Sequence, residues 1–420
     1  MSDKPQILAY YFPQYHSIPE NDIVFGENFN DWDLFTEGKQ GDISSCKKPL
    51  DNPDGLGFYD PRLTEIRRRQ GELAREYGVD GFIYYHYWLE NAPVMDKVIL
   101  EVLNDNQPDI PFCLCFTNES WKHNYKPNKG AFNSFHPDGS TFRQLYDKPK
   151  EHALFLSKFF NHPNYIKIDG RPVLFVYIFD SVVISYLEEI SNELHTYGIS
   201  KLYIIMCTSK RCLTNFQEPQ NGSYKPDAYT PFIAHYKLAL EPWLPPYISS
   251  LPKVYSGLMG WNSLPRHPGF KTIIDYKPHD IIKQTIADLI LMKSDKTSPQ
   301  IYTLFAWNEW AEGAIIEPNT IYGDSLGKAI KKAREIVKAA ENLTIEYGFN
   351  DVFINITNQV ISKCIEYIED KWTVYIPAND YSRAKLFGDP LPGILKVIQV
   401  KINGITLLYN DTSEVIMWLE

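Results

Sequence analysis

The chain contains eight short apolar runs separated by longer segments in which apolar and polar residues are mixed. Each run has the length and the β-branched and aromatic content of a strand that is buried on both faces. The runs are Ile7 to Phe12, Gly81 to Tyr87, Phe112 to Thr117, Val173 to Phe179, Leu202 to Cys207, Ala228 to Ile233, Val254 to Met259 and Ile301 to Trp307. Eight such strands with long connections predict a parallel sheet that closes into a barrel.

Several of the connections carry apolar residues at helical spacing. Helices are predicted over Arg62 to Tyr77, over Val182 to Tyr197 and over Asp280 to Met292. Gly78 and Gly198 directly follow the first two, as glycines commonly do where a helix ends. Because strands alternate with helices, we expect the α/β class and a (β/α)₈ TIM barrel.

The pattern changes near the end of the chain. After a charged helix predicted from Leu326 to about Tyr347, short segments alternate between apolar and polar residues, as in Val397 to Tyr409. Within that segment Asn403-Gly404 is a strong hairpin signal, because a type I′ turn needs positive φ at both positions. We therefore expect a barrel domain over residues 1–348 and a small, mainly antiparallel β-rich domain over residues 349–420.

Composition and charge narrow the possible partners. The net charge of −10 argues against nucleic acid, because proteins that bind it present a basic face to the phosphates. No stretch reaches the roughly 20 continuous apolar residues that a membrane-spanning helix needs. No signal-peptide pattern opens the chain, so a cytoplasmic location is expected. The sequence does not indicate an oligomeric state.

Metal sites and phosphate-binding loops have characteristic spacings, and the sequence lacks them. It has no HxH or HExxH pair, no paired CxxC clusters and no GxGxxG or Walker loop. We therefore expect neither a metal nor an organic cofactor. The six cysteines, among them Cys113 and Cys115 on one predicted strand, are expected to be reduced.

Two glutamates follow the last predicted strand. Glu309 and Glu312 lie in the segment from Trp307 to Gly313, and chemistry in α/β barrels collects at such carboxyl ends of strands. Cleavage of a glycosidic bond requires two carboxyl groups, and burial beside tryptophans would keep one of them protonated. The alternative is a surface turn with solvated acids. A content of 28 Tyr and 9 Trp agrees with a sugar site, although aromatic residues also fill cores.

Other polar and aromatic residues lie at predicted strand ends, and we expect them to line one pocket with the two glutamates. These candidate substrate-binding residues are Tyr11, Gln14, His16, His86, Trp88, Asn118, Glu119, Trp121, Trp261, Arg266, Asn308 and Trp310. For Asn118 and Glu119 a helix cap or a local salt bridge is an open alternative. His86 alone would be interpreted as a core histidine bonded to backbone. The long first connection, Gln14 to Asp60, is expected to lie over the barrel mouth.

These strand-end motifs resemble the WbsX-like glycan family, which is related to glycoside hydrolase family 99, the endo-α-mannosidase barrels. The motifs are Ala9 to His16, Gly78 to Trp88, Cys115 to Trp121, Gly260-Trp261-Asn262 with Arg266, and Trp307 to Gly313 with Glu317-Pro318. They occur in order between Ile7 and about Tyr347. The chain has Ala311 where the mannosidases carry a histidine, which would change contacts near the leaving group.

The resemblance implies a (β/α)₈ fold without metal or cofactor, and its hydrolase branch implies retention of anomeric configuration. In that branch Glu309 corresponds to a base on the sugar 2-hydroxyl, forming a transient 1,2-anhydro sugar, and Glu312 to the general acid and then base at the glycosidic oxygen. We expect a retaining glycoside hydrolase or transglycosylase acting on an α-mannoside-like or related oligosaccharide or polysaccharide. The alternatives are a glycosyltransferase of surface-polysaccharide (O-antigen-type) biosynthesis and a non-catalytic glycan-binding barrel.

Overall fold

The structure is a computed structural model that describes residues 6–36, 44–122, 136–209, 211–219, 224–232, 244–267, 272–368, 371–402 and 404–418. The chain forms two compact units. The first comprises Met1–Tyr276 and Lys296–Gly327, and the second comprises Lys277–Asp295 and Lys328–Glu420.

The first unit is built on eight parallel strands. They are β1 (Gln6–Tyr11), β2 (Gly81–Leu89), β3 (Phe112–Phe116), β4 (Arg171–Val176), β5 (Tyr203–Thr208), β6 (Ala228–Pro231), β7 (Tyr255–Leu258) and β8 (Ile301–Phe305). Their hydrogen-bonded order is β6-β5-β4-β3-β2-β1-β8-β7. Tyr229 of β6 donates to the carbonyl of Pro252 and accepts from the N–H of Val254, beside β7, which closes the ring. The predicted (β/α)₈ barrel is confirmed.

The barrel strands are continuous apolar runs because both of their faces are covered. Every residue of β2, β3, β5 and β8 is buried. In the centre of the sheet, Ala9 of β1 pairs with Phe82 on one side and Leu304 on the other. This register brings the carboxyl ends of β1, β2 and β8 together, and with them the segments that carry the candidate site.

Helices connect the strands of the first unit. They are α1 (Pro19–Phe25), α2 (Asp33–Thr36), α3 (Thr64–Tyr77), α4 (Lys97–Asp105), α5 (Pro149–Phe160), α6 (Ser181–Leu194) and α7 (Pro246–Ser249). Gly78 ends α3 in the left-handed conformation, and Asp180 caps α6 by accepting from the N–H groups of Val182 and Val183 at 3.0 Å each. These two of the three helices predicted in the connections are thus confirmed, and the third, Asp280 to Met292, lies within Pro278–Ser294. Within the described ranges no helix is long and apolar enough to cross a membrane.

The second unit contains two antiparallel sheets with helices. Its strands are β9 (Leu343–Phe349), β10 (Val352–Asn355), β11 (Ile365–Ile368), β12 (Lys371–Ile376), β13 (Val397–Ile402), β14 (Ile405–Tyr409) and β15 (Val415–Trp418). They are ordered β10-β9-β13-β14 and β11-β12-β15. Its helices are α8 (Pro278–Ser294), most of α9 (Ser325–Ala339), α10 (Thr357–Lys363) and α11 (Asp380–Phe387). The β-rich C-terminal region is confirmed.

One helix is shorter than the sequence predicts. The helix expected from Leu326 to about Tyr347 ends at Ala339, and β9 begins at Leu343. Leu343, Ile345 and Tyr347 are buried at every second position, which is the period of a strand and not of a helix. The division into residues 1–348 and 349–420 stays a prediction.

The predicted hairpin forms between β13 and β14. Ile402 pairs with Ile405 across it, and Gly404 has a φ of +78°. Asn403, the other residue of the predicted turn, lies outside the described residues. A two-residue connection with a positive φ at the glycine agrees with the turn chemistry that the sequence indicates.

Candidate active site

A cleft of about 290 Å³ at the carboxyl ends of the barrel strands contains both Glu309 and Glu312. Its lining comes from segments that are far apart in the chain, including the first long connection. Nine aromatic side chains contribute to it: Phe12, Phe25, Tyr85, Tyr87, Trp121, Tyr177, Phe232, Trp261 and Phe305. Aromatic rings offer flat apolar surfaces to the C–H faces of sugars, so this lining suits a glycan.

A tight turn after β8 carries the two glutamates. Asn308–Glu309 pairs antiparallel with Ala314–Ile315, and a 3₁₀ turn over Trp310–Glu312 connects them. Gly313 ends the turn with a φ of +70°, and a Cβ at this position would lie 2.7 Å from the backbone nitrogen of Asn262. Only glycine fits this conformation and this close approach, so the turn holds both carboxyl groups in the cleft lining.

Burial and mutual repulsion control the protonation of the pair. Glu309 is only 4% exposed, and its Oε2 has no hydrogen-bond partner among the described residues. Burial, followed by the nearby Glu312, raises the pKa of Glu309 well above its usual value. Burial also raises the pKa of Glu312, against the opposing charge of Arg266. The pair is therefore expected to hold a proton to higher pH than two solvated glutamates would.

Arg266 connects Glu312 to a second buried acid. Its Nη2 donates to Oδ2 of Asp31 at 2.6 Å, and its Nε lies 3.4 Å from Oε1 of Glu312. Asp31 is fully buried, and burial raises the pKa of its carboxyl, while Arg266 lowers it. The sequence reasoning missed Asp31, which lies in the first long connection, 235 residues before Arg266.

Glu317 lies behind the turn and holds its tryptophans. Its two carboxyl oxygens accept four hydrogen bonds at 2.7–2.9 Å, from Tyr59, Gln70, Trp307 and Trp310. Burial nevertheless raises the pKa of Glu317 to about 7. Because the two indole N–H groups can only donate, the carboxyl fixes the positions of both tryptophans around Glu309.

Asn308 has a similar supporting position. Its side chain accepts from the backbone N–H of Phe12 at 2.8 Å and donates to the carbonyl of Phe12 at 2.9 Å. These contacts tie the end of β1 to the start of the turn. Asn308 and Trp310 are both almost fully buried and do not line the cleft, so the structure does not bring these two predicted substrate-binding residues to it.

Five of the predicted substrate-binding residues do line the cleft with the two glutamates. They are Gln14, Glu119, Trp121, Trp261 and Arg266. Trp261 is 6% exposed, and its Nε1 has no hydrogen-bond partner among the described residues, so it is a donor available to a ligand. Glu119 is paired with Arg211, at 2.7 Å from the arginine Nε, which agrees with the salt bridge that was left open as an alternative.

His86 and Trp88 lie on the opposite side of β2 from the cleft. Nε2 of His86 is 2.7 Å from Nε2 of His152 in α5, and the Trp88 ring stacks on the His152 ring at 4.2 Å. Burial lowers the pKa of His86 to about 3, so its imidazole is neutral. Successive side chains of a strand point to opposite faces, and Tyr85 and Tyr87 are therefore the residues that β2 presents to the cleft.

Tyr11, His16 and Asn118 also lie away from the cleft lining. The Tyr11 hydroxyl donates to Gln70 at 2.9 Å, and the Asn118 side chain bonds both backbone groups of Ile178 at 2.8 Å. His16 Nδ1 is 3.1 Å from the Pro13 carbonyl, and burial lowers the pKa of His16 to about 4. All three are buried and support the strand ends.

Among the lining residues that were not singled out from the sequence are Asn21 and Arg211. Asn21, in α1, is 1% exposed, and its Nδ2 has no hydrogen-bond partner among the described residues. Arg211 follows β5 and forms the rim pair with Glu119. The length of the first connection was the one available signal for Asn21. In the described part of the chain no group of three or more His, Cys, Asp or Glu residues could hold a metal ion.

Known proteins resemble the chain in sequence and in fold. Two relatives, each named uncharacterized protein WxcX, from two strains of Xanthomonas campestris pv. campestris, are 24% identical over 388 residues, covering 79% of this chain and 50% of the relative. The chain thus spans about half the length of these curated relatives. A structure described as a glycoside hydrolase-like protein is 15% identical with a TM-score of 0.50, covering 79% of this chain and 94% of that one.

A second solved structure is the family 99 endo-α-mannosidase from Bacteroides thetaiotaomicron, which is 14% identical with a TM-score of 0.47, covering 81% of this chain and 99% of that one. The sequence model of the family described as Glycosyltransferase WbsX matches residues 7–330. These residues include all eight barrel strands, apart from Gln6 of β1, and the turn with Glu309 and Glu312. The chain therefore belongs to the WbsX family, a family of glycan-processing proteins.

Proposed function

We propose that the cleft is the active site of a retaining glycoside hydrolase or transglycosylase, with Glu309 and Glu312 as its reacting carboxyl groups. The observation that supports this most directly is Oε2 of Glu309, a buried acceptor in the cleft lining without a hydrogen-bond partner among the described residues. Buried polar atoms are normally hydrogen-bonded. A hydroxyl group of a bound sugar would satisfy this oxygen.

The substrate that we propose is an α-mannoside-like or related oligosaccharide or polysaccharide. The aromatic lining provides surfaces for the apolar faces of sugar rings, and Trp261 Nε1 and Asn21 Nδ2 provide donors for hydroxyl groups. Both donors are almost fully buried, so leaving them without a partner costs free energy that a bound hydroxyl would recover.

In the first step Glu309 removes the proton of the sugar 2-hydroxyl, and O2 forms a bond to C1 while the glycosidic C1–O bond breaks. Glu312 gives its proton to the leaving oxygen. The pair starts with one proton between its two carboxyl groups, and a hydroxyl that donates to Oε2 favours ionised Glu309. The proton then belongs to Glu312, where the leaving oxygen needs it.

In the second step Glu312, now ionised, takes a proton from a water molecule or from a sugar hydroxyl as that oxygen attacks C1. The C1–O2 bond opens, and Glu309 returns its proton to O2. Two successive inversions at C1 retain the anomeric configuration. Water as the acceptor gives hydrolysis, and a sugar hydroxyl gives transglycosylation.

Transfer from an activated sugar is the second candidate function, because the family is described as a glycosyltransferase. The two functions differ in the donor, since hydrolysis needs only a glycan and transfer needs an activated sugar. Purified protein should be incubated with a panel of oligosaccharides and a panel of nucleotide sugars, and the anomeric form of the products read by NMR. Turnover of nucleotide sugars alone would contradict the hydrolase proposal. Binding without turnover would indicate a glycan-binding barrel.

Two matched variants test the roles of the glutamates. Glu309→Gln and Glu312→Gln should each lower kcat about 10² to 10⁴-fold, because each removes one acid–base group. A substrate with an activated leaving group needs little protonation, so it should partly rescue Glu312→Gln but not Glu309→Gln. Asp60→Asn serves as a control, because Asp60 forms an exposed pair with Arg62. Wild-type turnover in both glutamate variants would show that these acids are structural.

A further inference from the structure

A continuous array of charged groups connects the first long connection of the barrel to Glu312. Asp31 is 0% exposed, and its Oδ2 accepts from Nη2 of Arg266 at 2.6 Å. The side chain of Arg266 is itself only 12% exposed, and its Nε lies 3.4 Å from Oε1 of Glu312. Arg266 therefore lies between two carboxyl groups, of which one is completely buried and the other belongs to the cleft.

Arg266 alone would oppose the role of Glu312 as a general acid. A permanent positive charge within about 4 Å of a carboxyl group favours its ionised form. A general acid must instead hold a proton until the leaving oxygen takes it. A second negative charge on the other side of the guanidinium offsets this effect, and Asp31 is in that position.

We propose that Asp31 is a positioning residue that holds Arg266 against Glu312 and offsets its positive charge, so that Glu312 can carry the proton required by the leaving oxygen. This inference rests on the proposed function of Glu312 as the acid. Arg266 orients the Glu312 carboxyl but favours its ionised form, and the negative charge of Asp31 opposes that effect.

Asp31 is held rigidly enough for this role. Its N–H donates to the carbonyl of Gln14 at 3.1 Å. The next residue, Trp32, donates from Nε1 to the carbonyl of Tyr59 at 2.7 Å and packs on the Tyr15 ring at 4.2 Å. These contacts fix the backbone at Asp31, and the full burial of its side chain keeps the carboxyl beside Arg266.

Other charged groups also act on this array. Glu312 interacts electrostatically with Glu309, Arg266, Asp31 and Arg211, and also with Tyr87. Two further charged residues, Lys122 and Glu119, line the same cleft. Asp31 interacts electrostatically with Arg266, Asp33 and Tyr15. Arg266 is common to both carboxyl groups and contacts each of them directly. The affinity of Glu312 for its proton should therefore depend on the balance between the positive charge of Arg266 and the negative charge of Asp31.

The test compares Asp31→Asn, Arg266→Gln and the double variant. Asp31→Asn keeps the shape and the acceptor oxygen but removes the negative charge, so the titration of Glu312 should move about one pH unit lower. Arg266→Gln should move it higher, and the double variant should return it toward the wild-type value. Asp60→Asn, on the same connection but paired with Arg62, is the matched control and should leave it unchanged.

The titration is measured by ¹³C NMR of protein labelled at the glutamate carboxyl carbon, with the Glu312 signal assigned from its loss in Glu312→Gln. The alkaline limb of the pH profile of kcat/KM should shift in parallel, because activity is lost as pH rises through the pKa of the acid. If Asp31→Asn alone does not fold, the double variant compared with Arg266→Gln still tests Asp31, because loss of the aspartate charge should lower the titration of Glu312 there too. An unchanged titration of Glu312 in a folded Asp31→Asn variant overturns the inference, whatever the result for Arg266→Gln. The predicted NMR shifts in a protein that turns over no glycan would support the array and overturn the proposed function instead.

Discussion

Glu309 and Glu317 are both buried glutamates of the segment that follows β8, but their surroundings differ. Oε2 of Glu309 has no hydrogen-bond partner among the described residues, whereas the two oxygens of Glu317 accept four hydrogen bonds. Glu309 faces the cleft, and Glu317 lies behind the turn. Buried acids whose hydrogen bonds are complete fix local structure, while an incomplete one stores free energy that a ligand can recover.

The largest expected effect comes from Glu→Ala at each of these two positions. Glu317→Ala leaves the donors of Tyr59, Gln70, Trp307 and Trp310 buried without an acceptor, at roughly 1–3 kcal/mol for each unsatisfied group. The free energy of unfolding should therefore fall by several kcal/mol. Glu309→Ala removes Oε2, which has no hydrogen-bond partner among the described residues, so we expect a change within about 1 kcal/mol together with loss of activity. Denaturant unfolding of both variants measures the difference.

A control sharpens this comparison. Glu317→Gln keeps one acceptor oxygen and should lose less stability than Glu317→Ala. Equal losses for Glu309→Ala and Glu317→Ala would mean that the hydrogen-bond inventory does not distinguish the two sites. A stable Glu317→Ala variant with normal activity would contradict the supporting role of the carboxyl.

The second effect is the pH dependence of stability. The pKa of Glu317 is raised from 4.5 to about 7 in the folded protein, so the folded state binds its proton more tightly than the unfolded state. Its contribution to stability is complete below about pH 4.5 and is lost as pH rises to about 7, with a slope of at most about 1.4 kcal/mol per pH unit. Unfolding measured from pH 4 to 8 should be flatter for Glu317→Gln than for wild type. Parallel curves would contradict this assignment.

The smallest expected effect is the difference between two tryptophans, one in the cleft lining and one buried behind β2. Trp121 lines the cleft, whereas Trp88 is buried against His152 behind β2. Trp121→Phe should raise KM for a glycan about 3- to 10-fold, the equivalent of roughly 1 kcal/mol of stacking. Trp88→Phe should leave KM unchanged and lower stability by about 1–2 kcal/mol. Steady-state kinetics and denaturant unfolding of both variants test the pair, and a KM effect at Trp88 would contradict its placement.

The barrel could be predicted from the sequence because its strands are buried on both faces and appear as continuous apolar runs. Because of the same property, the sequence does not show which residues of a barrel strand face the cleft. In β2 all nine residues are buried, so no alternation in the sequence distinguishes Tyr85 and Tyr87, which face the cleft, from His86 and Trp88, which face α5. The two candidate residues chosen on this strand, His86 and Trp88, therefore lie on the face that points away from the cleft.

The sequence alone determined the fold class, the positions of the eight strands and the pair formed by Glu309 and Glu312, because each depends on residues that are close together in the chain. The tertiary structure decided which acids have partners. Asp31 meets Arg266 across 235 residues, and Gln70 meets Glu317 across 247. Hydrogen bonds and charge pairs of this kind form between atoms that are a few ångströms apart in space. They cannot be predicted from spacing along the chain, because their partners meet only in the folded barrel.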